Sequence, residues 1–142
     1  MDLVEIYCLL FTDTLVSNLA FITSGEIIFY TMKKFGLYNH YLVILISTLG
    51  FTMSIFLNYV FGIICYKILL PFSKEESRSV QLRIQNIRRS WYIPLILPLI
   101  ALPFLGKFIV LFAGICRIPL LMTATIGVIT KFMYYSFSYI IL

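Results

Sequence analysis

One hydrophilic segment divides a chain that is otherwise strongly apolar. Residues 73–90, SKEESRSVQLRIQNIRRS, carry five basic and two acidic side chains. The chain of 142 residues is 61% hydrophobic and 12% charged, and a small soluble domain cannot bury so large an apolar fraction. We therefore expect an all-α integral membrane protein with a single domain over 1–142. Four apolar stretches approach the length of about 20 residues that a spanning helix needs, namely 3–22, 41–72, 91–115 and 118–142.

Two of these stretches contain breaks that a plain helix does not tolerate. Residues 13–36 include the sequence TSGE, and residues 91–115 contain three prolines before Leu-Gly-Lys. Proline removes a backbone donor, and glycine loosens a helix. Irregular backbone at membrane depth is tolerated only where protein buries it or where it lines a watery cavity. We therefore predict a helical bundle with two re-entrant hairpins, over about 13–36 and 91–115, and two spans, over about 41–72 and 118–142.

A faint internal repeat relates the two predicted hairpins. Gly25-Glu26 in the first is matched by Gly106-Lys107 in the second, and the later glycines follow at similar spacing. Paired, interrupted segments of this kind mark the binding site in transporters built from inverted repeats. The residues predicted to shape or pack the hairpins are Gly25, Gly36, Gly50, Gly106, Gly114 and Pro103.

Glu26 and Lys107 stand at matching joints of the predicted hairpins. An ionisable side chain at the middle of a bilayer costs about 2.5–3.5 kcal/mol, and pairing or hydration recovers much of that cost. Our functional hypothesis is that both residues face one polar cavity, where Lys107 attracts a lipid phosphate and Glu26 balances the lysine. The alternative is a structural ion pair between Glu26 and Lys107 that holds the hairpins together.

Three further charged residues are candidates for the same site. Asp13 either caps a helix through its side-chain oxygen or adds a second acid to the cavity. Lys131, inside the final span, either pairs with Asp13 or faces water. Arg117 either anchors the chain at the membrane interface or contacts phosphate from the loop side. Asn58, in the middle of the first span, is expected to make an interhelical hydrogen bond.

The basic segment 73–90 is either a cytoplasmic loop or an amphipathic helix on anionic lipid. Its five bases exceed the three expected on the other side of the membrane, Lys33, Lys34 and Arg117, which places the segment in the cytoplasm. Topology and lipid headgroups explain the net charge of +5, so nucleic acid is not expected as a partner.

The sequence contains no recognisable catalytic or metal-binding motif. It has three cysteines without a Cys-x-x-Cys pair, and His40 is its single histidine, so we expect neither a metal nor another cofactor. Gly-x-Ser-x-Gly, His-Glu-x-x-His and P-loop patterns do not occur either, so we expect a protein that is not an enzyme.

The order of these segments resembles the DedA superfamily of membrane proteins, whose domain is also called VTT, and most of all its small YqaA-like branch. The resemblance covers about residues 13–139: SGE, the span STLGFTMSIFLNYVFG, a basic loop, PLIALPFLGKFIVLFAG and a final span. Glu26 matches the acid after the first loop of the family, and Phe112-Ala113-Gly114 matches the step after the second.

The resemblance implies a multi-pass protein of the bacterial inner membrane that acts in envelope maintenance. Its ligands would be membrane lipids, and it would move a phospholipid or polyprenyl phosphate as a flippase or scramblase. The alternative is a membrane scaffold or partner protein that transports nothing. A homodimer is expected, because a second copy would shield the re-entrant loops from lipid.

Overall fold

The structure, a computed structural model, describes residues 2–22, 25–69, 74–102 and 105–141, and these residues form helices and connecting turns without a strand. The predicted all-α class is therefore confirmed for this part of the chain. The helices are α1 (Leu3–Ser17), α2 (Ile27–Phe35), α3 (His40–Leu69), α4 (Lys74–Arg89), α5 (Ile93–Ile96), α6 (Leu105–Ile115) and α7 (Leu120–Ile141), with a 3₁₀ helix over Leu97–Ala101.

Two of the described helices, α3 and α7, are long and apolar enough to cross a membrane. The apolar part of α3 has 29 residues, and α7 has 22. At 1.5 Å per residue, α3 is about 45 Å long. These are the two segments in which the sequence predicts spans. Only their length and composition indicate that α3 and α7 can cross a membrane. In addition, α3 is the central helix, against which α1, α2, α6 and α7 pack.

The first hairpin, here called the N-terminal hairpin, consists of α1, the turn after it and α2. The backbone N–H of Ile28, at the start of α2, donates to Asp13 Oδ2 of α1 at 2.9 Å. At the other end, the rings of Tyr7 and Tyr38 meet edge to face. The chain therefore reverses direction between Ser17 and Ile27, within the predicted hairpin, although α1 begins ten residues before it.

The second hairpin, here called the C-terminal hairpin, consists of Ile93–Ala101 and α6. Its two arms approach so closely that a Cβ atom on Gly106 would lie 1.9 Å from the backbone oxygen of Ile100. Pro94 and Pro98 in its first arm allow only short α and 3₁₀ turns. Pro103, which the sequence predicts to shape this hairpin, lies outside the described residues.

The two hairpins lie along α3 from opposite ends, and their tips meet near its middle. Val43, near the start of α3, packs with the N-terminal hairpin, whereas Gly62, further along, contacts α6. Between these levels, the Lys107 ammonium donates to the backbone oxygens of Ser17 and Ile22. One hairpin thus supplies a cation to backbone carbonyls at the tip of the other.

The predicted glycines occupy distinct positions in this arrangement. Gly36 ends α2 with φ 61°, a conformation that other residues rarely adopt. Gly50 packs against the backbone of α1, and Gly114 packs against α3. At Gly25, no described atom lies within 4 Å of the position that a Cβ atom would occupy, so packing among the described residues does not require glycine there.

The basic segment is a helix rather than a loop, since α4 occupies nearly all of it. Residues 73–90 contain no proline or glycine, so nothing in this sequence stops a helix. Ile84 and Ile87 are partly buried against the core formed by α3 and the C-terminal hairpin. The segment is therefore helical with its apolar side against protein, while its place in the cytoplasm or on anionic lipid stays a prediction.

Candidate functional site

A buried ion pair between Glu26 and Lys131 lies at the inner end of the N-terminal hairpin. Glu26 Oε1 is 3.3 Å from Lys131 Nζ. The same oxygen accepts hydrogen bonds from the Tyr135 hydroxyl at 2.8 Å and from Asn18 Nδ2 at 2.6 Å. Glu26 is 8% exposed and Lys131 is 2% exposed. Three donors therefore converge on one carboxylate oxygen inside the bundle.

Aromatic rings surround the ammonium group of Lys131. Its Nζ atom lies 5.1 Å from the ring centre of Phe51, 5.0 Å from that of Tyr134 and 5.2 Å from that of Tyr135. The faces of such rings attract a cation, most strongly when water is excluded. Tyr135 lies one helical turn after Lys131, so α7 presents both donors to Glu26 together.

The alternative in which Glu26 forms an ion pair with Lys107 is wrong, since Glu26 pairs with Lys131. Lys107 is buried as well, but its ammonium donates to the backbone oxygens of Ser17 and Ile22. The last carbonyls of a helix lack intrahelical partners and carry partial negative charge, so the end of α1 attracts a cation without any carboxylate. Glu26 and Lys107 therefore take part in two separate interactions: Glu26 pairs with Lys131, and Lys107 bonds the backbone at the end of α1 and after it.

Asp13 contributes to the hairpin rather than to the charged cluster. Its carboxylate accepts the Ile28 N–H at the first turn of α2, where a negative charge also complements the helix dipole. This is a capping role, although the capped helix is α2 and not the helix that contains Asp13. The alternative pairing of Asp13 with Lys131 is wrong, because Lys131 pairs with Glu26.

Arg117 lies away from the cluster, in the connection between α6 and α7. It is exposed, has φ 53°, and its guanidinium lies 4.8 Å from the ring centre of Tyr66, near the end of α3. The structure therefore places Arg117 at the end of the bundle where α4 begins. The predicted grouping of Arg117 with Lys33 and Lys34 is wrong, because the C-terminal hairpin returns the chain to the end from which it started.

Two polar residues that the sequence did not assign to the site complete it, namely Asn18 and Tyr135. Asn18 donates to Glu26, and its backbone oxygen accepts from Asn58 Nδ2 at 2.8 Å. Asn58 also accepts the Ala20 N–H at 2.9 Å, which fixes the turn after α1 to α3. Asn58 was predicted to bond a neighbouring helix, but its hydrogen bonds go to the turn that follows α1. The available signal for Tyr135 was its position one turn after the lone lysine of α7.

Two adjoining cavities lie on the α2 side of the cluster. The first, of about 510 Å³, is lined by Glu26 together with residues of α2. The second, of about 1,120 Å³, lies between α2, the start of α3 and the end of α7. Tyr30 and Lys34 line both cavities, so the space beside Glu26 lies next to the larger groove.

Metal binding finds no support in the geometry. Within the described ranges, no three side chains of His, Cys, Asp or Glu come close enough together to hold a metal ion. Cys8 is exposed, Cys65 is partly buried and Cys116 is buried, and all three are free thiols. The chemistry available at the site is therefore that of a carboxylate, two ammonium groups and tyrosine hydroxyls.

Comparison with known proteins shows similarity to a protein over nearly the whole chain. A protein of Rickettsia prowazekii (strain Madrid E), described as uncharacterised, is 33% identical to this chain over 138 residues, which cover 96% of each chain. No family model matches the chain, and no solved structure gives a significant match.

Proposed function

Because the chain belongs to the same family as the uncharacterised Rickettsia prowazekii protein, whose description states no activity, we propose its function from its own structure. We propose a multi-pass protein of the bacterial inner membrane that moves a phospholipid or polyprenyl phosphate across the bilayer. It would act as a flippase or scramblase similar to those of the DedA superfamily, without catalysis or a cofactor. A second copy of the chain is proposed to cover its hairpins in a homodimer.

The location in a membrane is supported by the outer surface of the bundle as well as by α3 and α7. Large apolar side chains point outward along both helices, for example Leu45, Met53, Phe132 and Ile140. Contiguous apolar surface of this extent is unusual on a soluble monomer. In a bilayer the same side chains face lipid, and the two hairpins become re-entrant elements.

The observation that carries the proposal is the group of buried charges where the hairpin tips meet. Glu26, Lys107 and Lys131 are all buried near the middle of the long axis of α3. Ionisable residues at this depth of a membrane are costly, and they mark substrate or ion pathways by default. Glu26 also lies in the wall of the cavity of about 510 Å³, which supports access of a ligand to this member of the group.

The geometry supports a transport step by exchange of partners. Glu26 neutralises Lys131 while the site is empty. A lipid phosphate that enters beside Glu26 would compete for the Lys131 ammonium, and Tyr135 and Asn18 would retain the carboxylate during the exchange. Lys107, bonded to the tip of the other hairpin, holds the two hairpins in register while the phosphate passes.

A second candidate function, a scaffold or partner protein that transports nothing, is favoured by the enclosure of Lys131. This side chain is 2% exposed, and its charge is compensated by Glu26 and three rings. A dry, fully compensated pair needs no ligand. The two candidates differ in whether the pair ever opens, so a functional assay separates them.

The test is a flip assay with the full chain reconstituted into liposomes that contain labelled phospholipid or labelled polyprenyl phosphate. We expect wild type to accelerate flipping, and we expect Glu26→Gln and Lys107→Ala to reduce it at least tenfold while remaining folded. Glu5→Gln, an exposed acid of α1, is the matched control and should flip as wild type does. Flipping no faster than in empty liposomes, for every lipid, would favour the scaffold.

A further inference from the structure

We propose that the larger cavity is a binding groove for one anionic phospholipid. The phosphate would lie among Lys33, Lys34 and His40, and an acyl chain would lie along Leu45, Phe132 and Ile140. This inference rests on the proposed function, and it names the substrate class and the place where the lipid first binds. The groove lies at the end of the bundle opposite α4, where α2 ends, α3 begins and α7 ends.

The charges at the groove favour an anion. Lys33 and Lys34 occupy the last turn of α2, and His40 is the first residue of α3. The described residues that line the groove include no Asp or Glu, so these basic side chains face the space without a carboxylate in its walls. Each basic residue near a membrane surface contributes to the attraction of anionic lipid, and two adjacent lysines act together.

The walls below these basic groups favour an acyl chain. Leu45 lies more than one helical turn further along α3 than His40, and Phe132 lies about two turns before the end of α7. Both side chains are exposed, and so is Ile140, which lies at the end of α7 at the level of the basic groups. The groove thus changes from basic at the end of the helices to apolar deeper in the bundle. A free phosphate would leave the apolar part empty, whereas a phospholipid fills both parts.

The position of the groove connects it with the buried charges. Tyr30 and Lys34 line both the groove and the smaller cavity at Glu26. The Tyr30 hydroxyl is hydrogen-bonded at 2.6 Å to the hydroxyl of Tyr134, whose ring lies against the Lys131 ammonium. A headgroup held by Lys34 is therefore adjacent to the route toward Glu26, and the groove serves as the loading position for the site.

The test measures lipid binding by native mass spectrometry of the full chain in detergent. Phosphatidylglycerol is the anionic probe, phosphatidylcholine the zwitterionic probe, and inorganic phosphate the competitor without acyl chains. We expect Lys33→Gln with Lys34→Gln to weaken phosphatidylglycerol binding about thirtyfold, since each lysine contributes about fivefold. Arg88→Gln with Arg89→Gln, an adjacent basic pair of α4 outside the groove, is the matched control and should bind as wild type does.

Three outcomes would overturn the inference: equal losses in the two double variants, phosphatidylcholine binding as strong as that of phosphatidylglycerol, or full displacement by millimolar phosphate. The flip assay separates this inference from the proposed function. Flipping that is unchanged by the lysine substitutions would reject the groove and retain transport. Lysine-dependent binding without any flipping would retain the groove and reject transport.

Discussion

At the scale of single residues, the carboxylate of Glu26 depends on a cation supplied by α7. Removing a charge from water costs several kcal/mol, and a buried pair recovers this only with good geometry and further hydrogen bonds. Glu26 has both, since Lys131 lies at 3.3 Å and two more donors bond the same oxygen. Loss of one partner is therefore costlier than loss of both.

Our first prediction concerns this dependence. Lys131→Met should destabilise the protein by about 3–5 kcal/mol, because it leaves the Glu26 carboxylate buried without its counter-ion. Glu26→Gln in the same chain should restore at least half of that loss. The measurement is unfolding of the detergent-solubilised protein by added dodecyl sulfate, followed by far-ultraviolet circular dichroism.

Lys107→Met is the control for this cycle, because Lys107 is a buried lysine that bonds backbone oxygens instead of Glu26. The loss of stability caused by Lys107→Met should not be reduced when Glu26→Gln is added. Rescue of Lys107→Met but not of Lys131→Met would show that Glu26 pairs with Lys107 in the folded protein and would contradict the structure.

The sequence identifies most charged members of the site but not their partners. A lone acid or base within an apolar stretch stands out, which is how Glu26, Lys107 and Lys131 are found. Partnership depends on which faces of distant helices meet, and Glu26 and Tyr135 are 109 positions apart. Asn18 was missed because asparagine is common at helix ends, and only the tertiary fold shows that its amide bonds the Glu26 carboxylate.

At the scale of elements, the contact between α3 and α6 depends on two glycines that face each other. A Cβ atom on Gly62 would lie 2.4 Å from the backbone oxygen of Leu111, and one on Gly114 would lie 2.4 Å from that of Tyr59. Small residues allow helices in membranes to approach this closely, so that van der Waals contact replaces the hydrophobic effect.

The second prediction is that Gly114→Ala destabilises the protein by about 1–3 kcal/mol, because the added methyl group meets backbone that cannot turn away. The same dodecyl sulfate titration measures it. Gly25→Ala is the matched control, since no described atom lies within 4 Å of its Cβ position, and it should change stability by less than about 0.5 kcal/mol. Equal effects of the two substitutions would reject close packing of α3 on α6.

The sequence predicts the breaks between helices well, because these breaks depend on local residue types. Proline and glycine mark the interruption in 91–115, and TSGE lies within the interruption between α1 and α2. The helix α4 was left undecided, because its few apolar residues predict an amphipathic face without indicating whether lipid or protein covers it. The packing of Ile84 and Ile87 on the core decides this, and it is a tertiary contact.

At the scale of the whole molecule, the basic residues are distributed unequally between the two ends of the bundle. Arg117 lies at the end where α4 begins, together with the bases of α4, and only Lys33 and Lys34 are placed at the other end of the described bundle. This separation is sharper than the sequence suggests, and for the proposed membrane protein the positive-inside rule predicts that the α4 end faces the cytoplasm.

The third prediction follows from this topology. In a chain whose three cysteines are replaced by serine, Lys34→Cys should react with an impermeant maleimide on spheroplasts. Arg83→Cys and Pro119→Cys should react only after permeabilisation. All three positions are exposed, and each lies near one end of the bundle. Labelling of Pro119→Cys together with Lys34→Cys would show that residues 91–115 cross the membrane as a simple span.

The hydrogen bonds between the hairpins also set an order for biosynthesis. Lys107 follows Ile22 by 85 positions, and Tyr135 follows Glu26 by 109. Because ribosomes add about 5–20 residues per second, roughly 5–20 s pass between the synthesis of Glu26 and the synthesis of its donors on α7. The N-terminal hairpin is therefore synthesised well before the residues on the C-terminal hairpin and α7 that complete its hydrogen bonds. A nascent chain that ends before α7 contains the Glu26 carboxylate without the Lys131 ammonium that compensates its charge.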